Sequence, residues 1–154
     1  MRSFTDTIEI DAPVHDVYAT LRAVDTYPTW LTHSMVYRGT RVPAAQAAPL
    51  PGTPPTYVDT TMVGRMRGEL IDDIPDRELR FHQAKPSGSV DALIVYDVED
   101  SGGVTRVTRV GQLTTHGMFR AVEPMFVMMA ARESRRTMKA LKTHVETPVT
   151  GTPA

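Results

Sequence analysis

Cysteine is missing from all 154 positions. That excludes a disulfide scaffold, a thiolate zinc site and a cysteine nucleophile, and it is compatible with a reducing compartment. A surplus of one charge is missing too, since 17 basic residues face 18 acidic ones for a formal charge of −1. Nothing therefore draws the whole molecule toward nucleic acid or an anionic membrane, although a local basic patch stays open. The opening MRSFTDTIEID has no apolar stretch of signal-peptide length, and no run of about eighteen apolar residues occurs anywhere. The expectation is a soluble cytoplasmic protein with no transmembrane segment.

Signatures of cofactor chemistry are scarce as well. His15, His33, His82, His116 and His144 show neither HxxxH nor HExxH spacing, so no metal is expected. Asp72, Asp73 and Asp76 resemble part of a calcium loop but lack its glycine and terminal glutamate; they read as a solvated turn. No GxSxG elbow presents a serine, and neither GxGxxG nor a phosphate loop occurs. No cofactor is expected, and no internal repeat is found.

What is present reads as one domain with a core. Residues 4–10 alternate, with Phe4, Ile8 and Ile10 against Thr5, Thr7 and Glu9, which predicts a half-buried strand. Asp11 as a cap and Pro13 in the first turn then start a short helix carrying Val14, Val17, Tyr18 and Leu21. Pro28 keeps a second helix, around Tyr27, Trp30 and Leu31, short. Residues 34–42 read as a strand, and 43–55 as a proline-rich loop. Strands are predicted over 57–66, 69–74, 78–84, 90–99 and 104–115, with turns at Arg67-Gly68, IPDR, KPSGS and Ser101-Gly102-Gly103. From Met118 to Val145 apolar residues recur at threes and fours, giving a long final helix in which Pro124 marks a kink or a late start. The fold class is α+β in the order β-α-α-β6-α over residues 1–146, with a flexible tail at 147–154. Hairpin-length links make the sheet antiparallel, and its buried face needs the long helix as cover.

The opening IEIDAPVHDVYATLRAVDTYPTW, the strand GGVTRVTRV and the close MFRAVEPMF…LKTHVE together resemble the START-like superfamily, also called SRPBCC. Within it they are similar to the polyketide cyclase/dehydrase and lipid-transport group. The resemblance implies a helix-grip fold, in which a curved seven-stranded antiparallel sheet wraps the C-terminal helix around a hydrophobic cavity. It implies a structure more than a function, because the superfamily holds carriers, cyclases and receptors alike. The loop at 43–55 is expected either to border the cavity mouth or simply to be flexible.

Five of the nine methionines fall in the last helix, at positions 118, 125, 128, 129 and 138. Soft thioether side chains fit either a loosely filled core or a wall that conforms to variable ligands. With the cavity the resemblance implies, the expected ligand contacts on the sheet and its loops are Trp30, Tyr37, Met62, Phe81, Ile94, Tyr96, Arg109 and Leu113. On the helix side they are Met118, Val122, Met125, Phe126 and Met129. Strand alternation puts Thr105, Val107, Arg109, Gly111 and Leu113 on one face. The resemblance implies that the Thr and Val of GGVTRV look into the cavity, which would put Arg109 inside in need of a partner: Asp59, Glu69, Tyr96 or a ligand anion. Tyr37, Tyr96, His82 and Gln112 are further polar candidates. The run Arg132, Arg135, Arg136, Lys139 and Lys142 reads as a solvated outer face. Two functions follow. The first is a non-enzymatic binder or transporter of a hydrophobic small molecule such as a lipid, isoprenoid or polyketide-like compound. The alternative is a polyketide aromatase/cyclase or dehydratase using no metal or nucleotide. The partner is that small molecule rather than nucleic acid; transient membrane contact is allowed, as is either a monomer or a homodimer.

Overall fold

The structure, a computed structural model, describes residues 1–42 and 55–147. The chain runs β1 (Arg2–Ile10), α1 (Val14–Arg22), a 3₁₀ turn (Val24–Thr26), α2 (Tyr27–Trp30), β2 (Tyr37–Arg41) and β3 (Thr56–Thr61). It continues with β4 (Gly64–Ile74), β5 (Glu78–Ala84), β6 (Val90–Ser101), β7 (Val104–Thr115), a 3₁₀ segment (Gly117–Val122) and α3 (Glu123–Glu146). The seven strands form one antiparallel sheet in the order β1-β7-β6-β5-β4-β3-β2. Register irregularities between Leu70 and Asp72, and between Tyr37 and Thr40, add to its curl. The result is a half-barrel gripping α3, the α+β architecture expected from the element order.

Alternation explains the inner face. Ile10, Val107, Val98, Leu79 and Phe81 point inward and pack with Val17 and Leu21 of α1 and with Met138 and Leu141 of α3. This half of the interior is closed by apolar contact. The other half, around Met66, Val90 and Leu113 with Phe119, Phe126 and Val127 against them, is a second and smaller cluster.

Local details depart from the sequence reading. The turn expected at Arg67-Gly68 lies instead at Met62-Val63, and β4 runs unbroken from Gly64. Gly68 sits mid-strand because the Tyr57 ring lies on it: a Cβ there would collide with Tyr57 Cζ. A glycine inside a strand here marks a close approach, not a break. Gly111 is the same device, with the Phe4 ring occupying the place its Cβ would take. Asp11 makes no side-chain cap on α1; its backbone N–H donates to Glu146 Oε1 at 2.8 Å and ties down the end of α3. β2 is shorter than expected because Ser34 Oγ accepts from the amides of Val36 and Tyr37, folding residues 34–36 into a turn. Pro124 lies in the first turn of α3, so it marks a late start rather than a kink.

The loop expected at 43–55 and the tail at 147–154 fall outside the described residues, apart from Pro55 and Thr147. No helix among the described residues is long and apolar enough to cross a membrane.

Candidate functional site

Between the concave sheet face and the first half of α3 lies a cavity of about 200 Å³. Its apolar wall includes Phe4, Leu31, Val36, Val63, Met66, Phe81, Val90, Ala92, Ile94 and Leu113 from the sheet side, and Phe126, Met129 and Ala130 from the helix. Met62 lines the cavity and is also more than one-third exposed, so the cavity opens past the β3–β4 turn. The phenyl ring of Phe4 can lie flat against the sheet because Gly111 has no side chain beneath it.

A polar seam crosses the floor. Tyr37 OH and Thr40 Oγ1 are 2.6 Å apart, and Thr40 Oγ1 donates to Asp59 Oδ1 at 2.6 Å. From the other side Gln83 Nε2 donates to Asp59 Oδ2 at 2.9 Å and to Tyr57 OH at 2.7 Å. Burial pushes the Asp59 carboxyl up to about 6, against the lowering effect of the Thr40 and Gln83 bonds and the Arg109 charge. Burial, and secondarily the Asp59 charge, raises the Tyr57 phenol far above its usual range. The Tyr27 and Tyr37 phenols are raised too, first by burial. At neutral pH these three are uncharged hydroxyls able to donate.

Among the described residues Arg109 is the one cation that lines the cavity. Its Nε donates to Tyr96 OH at 2.9 Å, and the guanidinium lies 5.4 Å from the centre of that ring. Among the described residues no carboxylate stands within 4.0 Å of it. Glu69, weighed as its partner, points to solvent on the outer face of β4, and Asp59 acts on it only at a distance. Its remaining N–H groups have no partner among the described residues. On the opposite wall Ser134 Oγ is fully buried and has no partner among the described residues. Glu133 beside it accepts from Ser34 Oγ at 3.0 Å and from Arg136 at 2.6 Å.

Nine of the thirteen expected contacts line this cavity: Tyr37, Met62, Phe81, Ile94, Tyr96, Arg109, Leu113, Phe126 and Met129. Four do not. Trp30 is in the core, 4.9 Å from the Tyr27 ring, and only Tyr27 reaches the cavity. Met118, Val122 and Met125 are exposed, because the 3₁₀ segment and the register of α3 turn them outward. The methionine wall is thus reduced to Met129 from the helix, with Met138 in the core. His82 pairs with Asp91 at 2.9 Å away from the cavity, whereas Gln112 borders it.

Tyr57 and Gln83, and Glu133 and Ser134 on the helix, had not been singled out. The alternation of Tyr57, Asp59 and Thr61 along β3 carried the signal for the sheet residues. The spacing of Phe126, Met129, Ala130, Glu133 and Thr137 carried it for the helix. Of the basic run, Arg136 and Lys142 turn out to be structural: Arg136 donates to Thr32 O at 2.7 Å, and Lys142 to Glu9 O at 2.7 Å. The supposed calcium fragment is committed elsewhere, Asp73 to Tyr18 and Arg22, and Asp76 to His15.

A half-barrel that closes on a long helix around a largely apolar cavity defines a helix-grip architecture. The chain belongs to the family described as polyketide cyclase / dehydrase and lipid transport, whose model matches residues 1–146. Among solved structures it is similar to a START superfamily protein from Mycobacterium smegmatis, with a TM-score of 0.71 at 14% identity over 94% of this chain and 97% of that one. A protein from Thermus thermophilus gives 0.70 at 17% identity over 94% and 97%. The di-domain ARO/CYC StfQ from the steffimycin biosynthetic pathway gives 0.69 at 14% identity, over 94% of this chain and 50% of that one. At these identities the likeness is one of fold. No curated protein matches the chain.

Proposed function

We propose that this protein binds or carries a hydrophobic small molecule (a lipid, isoprenoid or polyketide-like compound) in the cavity, with an oxygen of the ligand held at Arg109. The observation that supports this most is the composition of the wall. Aliphatic and aromatic side chains surround a guanidinium whose only protein bond is to Tyr96 among the described residues. A half-buried cation with unused donors favours an oxygen acceptor, and the apolar remainder favours a hydrocarbon body. The test is displacement of a fluorescent amphiphile by candidate ligands, in the native chain and in Arg109→Met and Ala92→Trp. Ala92→Trp fills the cavity and should abolish binding. Arg109→Met should weaken oxygen-headed ligands on the order of tenfold and leave a plain hydrocarbon unaffected. Equal affinities in all three proteins would sink the reading.

One observation favours a second reading, a cyclase or dehydratase. The Asp59 carboxyl, held near 6 in an apolar cavity that also contains Arg109, suits general acid–base work. The carboxylate would accept a proton from carbon next to a ligand carbonyl, while Arg109 steadies the enolate oxygen that forms. Deuterium exchange into a bound 1,3-diketone, followed by NMR, tests this. Exchange should rise through pH 6 and vanish in Asp59→Asn; exchange no faster than in buffer rules the chemistry out.

A further inference from the structure

Two of the three helix methionines expected to line the cavity, Met118 and Met125, point to solvent, as does Met128, and they are not alone. Of the nine exposed large apolar side chains among the described residues, six gather at the end of the molecule where the cavity opens: Met35, Met62, Met118, Val122, Met125 and Met128. Met118 is 84% exposed, Met35 70% and Met128 60%. This end is built from the turn before β2, the β3–β4 and β5–β6 hairpins and the start of α3. Contacts join these parts, because Lys85 donates to Val63 O at 2.7 Å and lies over the Phe119 ring at 5.1 Å.

The same end is basic. Residues 34–38, 61–67, 84–91 and 112–132 hold six cations, Arg38, Arg65, Arg67, Lys85, Arg120 and Arg132, against two carboxylates in a chain whose formal charge is −1. None of the six forms an ion pair within 4.0 Å among the described residues. The two carboxylates are occupied, Glu123 by Thr115 and Arg2, and Asp91 by His82. The opposite end, with Asp72, Asp73, Asp76, Asp97, Glu99 and Asp100 on its strands and turns, is acidic. Charge is therefore segregated along the molecule although the total is near zero.

We propose that the open, basic end docks on an anionic lipid bilayer. Exposed flexible apolar side chains surrounded by unpaired cations are what an interfacial contact needs: methionines enter the acyl boundary while the cations meet anionic headgroups. A nucleic-acid backbone would satisfy the cations and leave the methionines in water. Docking here faces the cavity opening at Met62 toward the bilayer, yet it does not depend on the cavity holding any ligand.

The test is co-sedimentation of the full chain with phosphatidylcholine vesicles, with and without phosphatidylglycerol. Binding is expected only to the anionic vesicles and should fall as salt is raised. Met118→Asp with Met125→Asp, and separately Arg65→Glu with Arg120→Glu, should each cut partitioning on the order of tenfold or more. All four side chains are exposed, so thermal melts should match the native chain. Ile71→Asp, at the acidic end, should bind as the native chain does. Indifference to lipid charge, no vesicle binding, or binding that survives the methionine changes would each overturn the proposal. So would a concentration-dependent dimer that the methionine changes dissolve without any vesicle binding, which would make the ridge a self-interface.

Discussion

Single residues decide where the cavity is and what it holds. Gly68 and Gly111 are seats for the rings of Tyr57 and Phe4, and only the missing Cβ lets those rings lie against the sheet. Gly111→Ala should push Phe4 into the cavity and destabilise the protein by about 1–3 kcal/mol, read by urea unfolding. No loss of stability would mean the ring is not seated there. Asp59 gives a pH signature. Its carboxyl ionises near 6 when folded and near 3.8 when free, so between these values the unfolded chain has lost a proton that the folded chain retains. Stability should fall as pH rises from about 4 to 6 and level off above, a change of about 3 kcal/mol for this cavity carboxyl. Asp59→Asn should flatten that slope. An asparagine fits, because its oxygen can accept from Gln83 while Thr40 turns its hydroxyl toward Tyr37. Residues of this kind were half legible. Strand alternation together with the family resemblance brought Arg109 inward, but Gly68 looked like a turn because a glycine under a ring and a glycine in a turn are spelled alike.

At the level of elements, periodicity anticipated the strands and helices among the described residues, but residues 57–66, read as one strand, hold most of β3, the Met62-Val63 turn and the start of β4. Pro124 marks where α3 begins. As a residue of the first helical turn it costs no hydrogen bond, since that N–H would lack an intrahelical acceptor anyway. Pro124→Ala should therefore change stability by less than about 1 kcal/mol. A gain of several kcal/mol on urea unfolding would mean that the proline strains a helix running through it. The methionines teach the complementary lesson. A helical stripe shows that side chains share a face, but it does not say where the first turn begins. The 3₁₀ segment before Glu123 rotates Met118 and Val122 out of the interior, and the sequence carries no capping side chain to announce it.

For the molecule as a whole, one strand, two short helices, six strands and a long helix leave few ways to bury a sheet face. An antiparallel sheet covered by the long helix was therefore legible from order. Its curl into a half-barrel was what the family resemblance implied, and the family match over residues 1–146 agrees with both. Cavity contents were not legible, because a gap between sheet and helix depends on small residues such as Ala92 and Gly111 at particular registers. The charge segregation was likewise hidden by a total of −1, since alternate hairpins of an antiparallel sheet collect at opposite ends. The claim that unites these scales is that the cavity holds an apolar molecule with its oxygen at Arg109. The most direct measurement is native mass spectrometry of freshly purified protein, followed by organic extraction of what it releases, with Ala92→Trp prepared in parallel. A one-to-one complex with an oxygen-bearing hydrophobic compound, absent from Ala92→Trp, is the expected result. The same adduct on both proteins, or none on the native chain even after incubation with lipid extract, would contradict it.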